Sequence, residues 1–129
     1  MNTKQLQLVT REQTRRLQKL GFNWAVIYYY FANEKDVSIG LLQNYNADYY
    51  NYKISAPTVA LSLQYFEQEK GIKNSTELVY KFNGIWKYKW KYIIGSDCNI
   101  SNDTFETLQS AQNALLDELL TLFLKEKEQ

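Results

Sequence analysis

Histidine occurs nowhere in the 129 residues, and that absence removes several chemistries together. Serine and cysteine triads with an imidazole base, two-histidine metal sites and imidazole proton transfer near neutral pH all fall away. Cys98 is the only cysteine, so the chain can form no internal disulfide and no thiolate zinc site of its own, and a reducing cytoplasm is the expected location. No uncharged apolar run, "LLTLFL" near the C-terminus included, approaches the ~20 residues a membrane-spanning helix needs. "MNTKQLQLVTREQTRR" has no apolar segment of the signal-peptide kind, so neither a membrane span nor a leader is expected.

Carboxylates, lysines and tyrosines remain as raw material for catalysis. Glu67 with Glu69 and Asp117 with Glu118 are close in sequence, but neighbours one or two apart point in different directions on a helix and form no ready acid and base couple. Cys98 in "GSDCN" reads as an inert thiol in a turn. The expectation is a protein that is not an enzyme and uses no cofactor and no metal.

What is present is ordinary globular material: 45% hydrophobic and 22% charged residues, in a length that suits one domain spanning residues 1–129. The net charge of +1 hides a polarity. Residues 1–22 and 71–95 each sum to +4, residues 96–129 to −5, and the middle to −2. Such a distribution can steer an acidic partner or hold parts of one chain together.

Thr10 with Gln13 forms a capping-box pattern, and "REQTRRLQKL" runs to Gly21, which predicts a first helix over 11–20 with Leu17 and Leu20 inward. Arg11, Arg15 and Lys19 recur every four residues on its outer face. Residues 1–9 read as an edge strand or a flexible arm. "WAVIYYYF" and "VSIGLL" around "NEKD" predict a hairpin. "QNYNADYYNY", residues 43–52, has no period and reads as a loop. Pro57 suits the first turn of a second helix over about 57–70 with Val59, Leu63 and Phe66 on one stripe.

Asn83-Gly84 between "TELVYKF" and "IWKYKWKYII" is the strongest short hairpin signal in the chain. A two-residue turn would set Phe82 opposite Ile85 and Tyr80 opposite Lys87, mixing apolar and charged residues on both faces. A three-residue loop would set Tyr80 opposite Trp86 and Leu78 opposite Tyr88. The second register gathers Leu78, Tyr80, Trp86, Tyr88, Trp90 and Tyr92 on one face and Lys81, Lys87, Lys89 and Lys91 on the other, and patterning favours it. A last helix follows, capped by Thr107 and running to about Leu124, with a core stripe through Leu108, Ala111, Leu115, Leu119 and Leu122 and a second stripe of Leu116, Leu120 and Leu124. The expected fold is α+β: an antiparallel sheet of about four strands in two hairpins, helices packed mainly on its aromatic face, in the order α-β-β-α-β-β-α.

"LVTREQTRRLQKLGF", "ISAPTVALSLQYFEQEKGI", "NGIW" and "TFETLQSAQNALLDELL" resemble, in that order, segments of a family of small uncharacterised proteins encoded in phages and mobile elements of gut bacteria. The resemblance implies a cytoplasmic accessory protein and implies no activity.

Two kinds of surface follow from the residues. Lys87, Lys89 and Lys91 stand ~7 Å apart along one strand, a spacing that suits a phosphate backbone, and Arg11, Arg15 and Lys19 could add to it; the alternative is a solvated sheet face and helix face. Leu116, Leu120 and Leu124 offer a dimer seam or partner groove unless the N-terminal arm covers them. Tyr45, Tyr49 and Tyr50 offer adaptable contacts unless they lie over the sheet. The expected function is a non-enzymatic accessory protein acting by protein binding or self-association, with nucleic-acid binding through the lysine face as the alternative.

Overall fold

The computed structural model describes residues 7–47 and 52–127. Among the described residues the fold is α+β, with helices α1 (Arg11–Leu20), α2 (Val59–Lys70) and α3 (Leu108–Lys127) and six strands: β1 (Val26–Phe31), β2 (Val37–Gln43), β3 (Lys53–Ser55), β4 (Lys73–Phe82), β5 (Ile85–Ile94) and β6 (Asp97–Ile100). The two expected hairpins are present, but they do not share a four-stranded sheet. Each gains a third strand, giving two antiparallel sheets of order β2-β1-β3 and β4-β5-β6. β3 has only three residues, too few to display a period. β6 follows a turn at Gly95, whose φ of 59° suits glycine, so Cys98 lies in a strand and not in the expected turn. The chain forms two compact units, residues 1–58 with 119–129 and residues 59–118.

In the first unit α1 begins as its sequence dictates. Gln13 N–H donates to Thr10 Oγ1 at 3.2 Å, and Gln13 Oε1 accepts from Thr10 N–H at 2.8 Å. Caps of this kind are worth about 1 kcal/mol. Gly21 takes φ 91°, and Phe22 N–H closes back on the Leu17 carbonyl at 3.0 Å. Leu17, Leu20 and Phe22 are buried. Of the N-terminal residues, Leu8 bridges Thr58 and Val9 N–H donates to the Pro57 carbonyl at 3.0 Å. Pro57 therefore ends this bridge, and α2 starts two residues later than expected.

The second unit settles the hairpin register in an unexpected way. Beside the turn Phe82 is opposite Ile85 and Tyr80 opposite Lys87; further along Leu78 is opposite Tyr88 and Glu77 opposite Lys89, with an irregularity between Leu78 and Tyr80. Both candidate registers are used, and Val79 is the extra residue that joins them. The expected pairing of Tyr80 with Trp86 is therefore replaced by Lys81 with Trp86. Asn83 (φ 50°) and Gly84 (φ 81°) both adopt the left-handed region, as a tight two-residue turn requires. Beyond the bulge the separation holds: Tyr88, Trp90 and Tyr92 share a face with Leu78, Thr76 and Asn74. Asn74 Nδ2 donates to the Leu63 carbonyl of α2 at 3.1 Å, and Tyr92 Oη–H to Glu118 of α3 at 3.4 Å, so both helices reach the inner end of that face. Exposure falls along it from 49% at Trp86 to 5% at Tyr92.

Candidate functional site

The lysine face of β5 is less free than its spacing promises. Lys87 Nζ lies 3.4 Å from Glu106, brought alongside by the Tyr88–Phe105 bridge, and Lys91 Nζ lies 2.9 Å from Glu77 on β4. Lys89 stands directly opposite Glu77. The hydrogen bond that Lys91 donates to Glu77, with the charge of Glu77, raises the Lys91 pKa. Opposite charges across strands are the usual way to stabilise such a face, and here they occupy two of the three cations proposed for phosphate.

The arginine face of α1 is also partly committed. Arg11 and Arg15 both donate to the carbonyl oxygen of Ala32, after β1, with Arg15 at 3.3 Å. Arg16 pairs with Glu12 at 3.1 Å. Even so, Arg15, Arg16 and Lys19 line a groove of about 480 Å³ with Glu12, Thr121, Leu124 and Lys125. Lys125, from the far end of α3, is the member that sequence spacing could not have supplied.

Two of the three leucines of the expected seam are core residues. Leu116 and Leu120 are fully buried, so they offer no exposed seam, while Leu124 is half-buried in the groove just described. Tyr45 is buried as well: its N–H donates to Ser55 Oγ at 3.0 Å and its hydroxyl to the Leu41 carbonyl at 2.6 Å. It is a buried support of the first sheet and not an exposed loop residue. Its neighbour Asn46 ties the same segment to Phe22 and Ser55. Tyr49 and Tyr50 lie outside the described residues.

Two features of the first sheet escaped the sequence reading. β2 is an edge strand, and between the Tyr28–Ile39 and Val26–Gln43 pairs it takes more residues than β1, so Gly40, Leu41 and Leu42 bulge outward. Leu41 (80% exposed), Leu42 (69%) and Ile39 (59%) are the most exposed large apolar side chains among the described residues. Gly40 is required there, because a Cβ would collide with the Tyr45 hydroxyl and lie 3.1 Å from Tyr29. The second feature is a ring of aromatics around one cation. Lys53 Nζ lies 4.8 Å from the centroid of Tyr29, 5.9 Å from Phe31, 5.6 Å from Tyr45 and 5.5 Å from Tyr52. β1 supplies two of the rings, Tyr29 and Phe31, which lie two apart and so share a face, and β3 places Lys53 directly opposite Phe31.

Among the described residues there is no group of three or more Cys, Asp or Glu side chains placed to hold a metal ion, and no helix is long and apolar enough to cross a membrane. No protein-family model, curated protein or solved structure matches the chain.

Proposed function

We propose that the chain is a non-enzymatic accessory protein of the cytoplasm that acts by protein association, its contact surface being the apolar bulge of β2 and its partner a second copy of itself. The observation that carries this reading is the exposure of Ile39, Leu41 and Leu42 on an edge strand. Natural edges are commonly blunted with lysine or proline, and residues 37–43, "VSIGLLQ", contain neither, nor any ionisable side chain. A two-fold contact sets each residue of a patch near its own copy, so an uncharged patch is one that a second copy tolerates. Another exposed apolar group, Leu78, Val79, Ile85 and Trp86 at the β4–β5 hairpin, is followed by Lys87 and Lys89. Ile85 shares the face of Lys87 and Lys89, so two copies meeting through it would oppose lysine to lysine. The leucine stripe of α3 plays no part in this surface.

A patch of this size buries less than the ~1,200 Å² of a standard stable interface, so a weak dimer is expected, with Kd on the order of 0.1 mM. Sedimentation equilibrium over a concentration series tests it: the wild type moves from monomer to dimer, and Leu41→Lys with Leu42→Lys stays monomeric while remaining folded. A wild type that is monomeric at every concentration, or a double variant that still dimerises, contradicts the reading.

A second reading, phosphate-backbone binding, is supported by the groove that unites Arg15, Arg16, Lys19 and Lys125. It moves the nucleic-acid surface away from the paired lysines of β5. Titration of labelled oligonucleotides at low and moderate salt, beside Lys19→Glu with Lys125→Glu, tests it: salt-sensitive binding lost in that variant supports the groove, and binding lost only in a Lys87, Lys89, Lys91 triple glutamate variant returns it to the strand.

A further inference from the structure

We infer that the ring of Tyr29, Phe31, Tyr45 and Tyr52 is a cation-binding site for an alkylammonium group, held by the tethered ammonium of Lys53 until an incoming cation displaces it. Four ring centroids within 6 Å of one nitrogen go beyond the single lysine-over-ring contact common on protein surfaces. This is the arrangement by which aromatic side chains recognise ammonium and quaternary ammonium groups, through the negative faces of several rings at once.

The walls are supported independently of the occupant. Tyr29 packs on Tyr45 at 4.5 Å and edge-on to Phe31 at 5.3 Å, and Phe31 lies nearly parallel to Tyr52 at 6.2 Å. Tyr45 is further pinned by its hydrogen bonds to Leu41 and Ser55. Tyr52 is half exposed. Lys53 enters from an edge strand at the end of a flexible four-carbon stem, so it can leave without moving the backbone of β3. An internal cation competes with any external one, and removing it must strengthen external binding.

The probe is tetramethylammonium, titrated into the wild type and into Lys53→Ala while ring signals are followed by NMR, with sodium chloride as the ionic-strength control and the neutral carbon isostere of choline as the charge control. The folded variant is expected to show saturable shifts of the Tyr29, Phe31 and Tyr45 rings with affinity at least ~10-fold above the wild type, and no comparable response to the neutral isostere. Choline and an acetylated trimethyllysine amide then distinguish a free amine from a modified side chain as the source of the cation. In the wild type, the ring-shifted methylene signals of Lys53 should move toward free-lysine positions as tetramethylammonium is raised, a readout that does not depend on any variant folding. A folded Lys53→Ala protein without saturable shifts, an equal response to the neutral isostere, or Lys53 signals that stay in place overturns the inference.

Discussion

The two sheets are built from the same ingredients and use them in opposite ways. In β4-β5-β6 the lysines and aromatics of β5 alternate, so the pleat sorts them onto separate faces, and Lys91 pairs with Glu77 across the strands while Lys87 pairs with Glu106. In β2-β1-β3 the aromatics of β1 are consecutive, both faces receive rings, and Lys53 lies by two of them, Tyr29 and Phe31, together with Tyr45 and Tyr52. What differs is the neighbour each lysine meets: Glu106 and Glu77 for Lys87 and Lys91, and four rings for Lys53. The sheets also differ at their edges: edge strand β4 carries Lys73 and Lys81, while the bulge of edge strand β2 carries no charge.

The largest expected effect makes the two units alike. Leu116 and Leu120 are fully buried, one in each unit, so Leu116→Ala and Leu120→Ala should each cost about 2–5 kcal/mol in chemical denaturation. A cost below 1 kcal/mol for either would restore the exposed leucine seam.

The next separates the turns. Gly40→Ala must displace the Tyr45 ring and should cost about 1–3 kcal/mol, whereas Gly84→Ala meets open space and should lose only about 1 kcal/mol for its φ of 81°. The reverse order in urea melts would show that Tyr45 yields and that its pinning of the bulge is weak.

Alkaline pH should strike the second unit harder. Tyr65 and Tyr92 there, and Tyr30 in the first unit, have pKa values raised above 10.0 mainly by burial, and Lys91 is raised above 10.5 mainly by its hydrogen bond with Glu77. In each case the folded state keeps a proton that the unfolded chain releases. Their contribution is fully present below pH ~10 and is lost as pH rises through the folded values. Thermal melts across this range should fall less steeply for Tyr92→Phe than for the wild type; an unchanged slope would remove Tyr92 from the account.

The smallest change in stability is expected for Glu77→Gln with Glu106→Gln, which frees Lys87 and Lys91 on a solvent-facing surface. Its informative readout is oligonucleotide affinity at low salt, which should rise if these acids mask a phosphate-binding face and stay flat if the face is merely solvated.

What was legible in the sequence was local. Thr10, Gln13 and Gly21 bounded α1, Thr107 capped α3 by accepting from Ser110 N–H at 3.0 Å, and Asn83-Gly84 marked its turn, because each signal acts over four residues or fewer. The register of β4 with β5 was only half legible, since neither candidate allowed for a bulge at Val79 and patterning alone cannot locate one. The site residues were least legible. Lys53 is one lysine among tyrosines until β1 brings Tyr29 and Phe31 beside it, and nothing in "SIGLL" distinguishes an exposed bulge from a buried strand. β6 could have been read from Gly95-Ser96, a two-residue turn of the hairpin kind.

The most direct test of association through the first sheet is a dilution series of backbone NMR spectra on the wild type. Concentration-dependent shifts confined to residues 37–43 and their β1 neighbours are the predicted result. Shifts centred on Leu78, Ile85 and Trp86, or spectra that do not change with concentration, would contradict it.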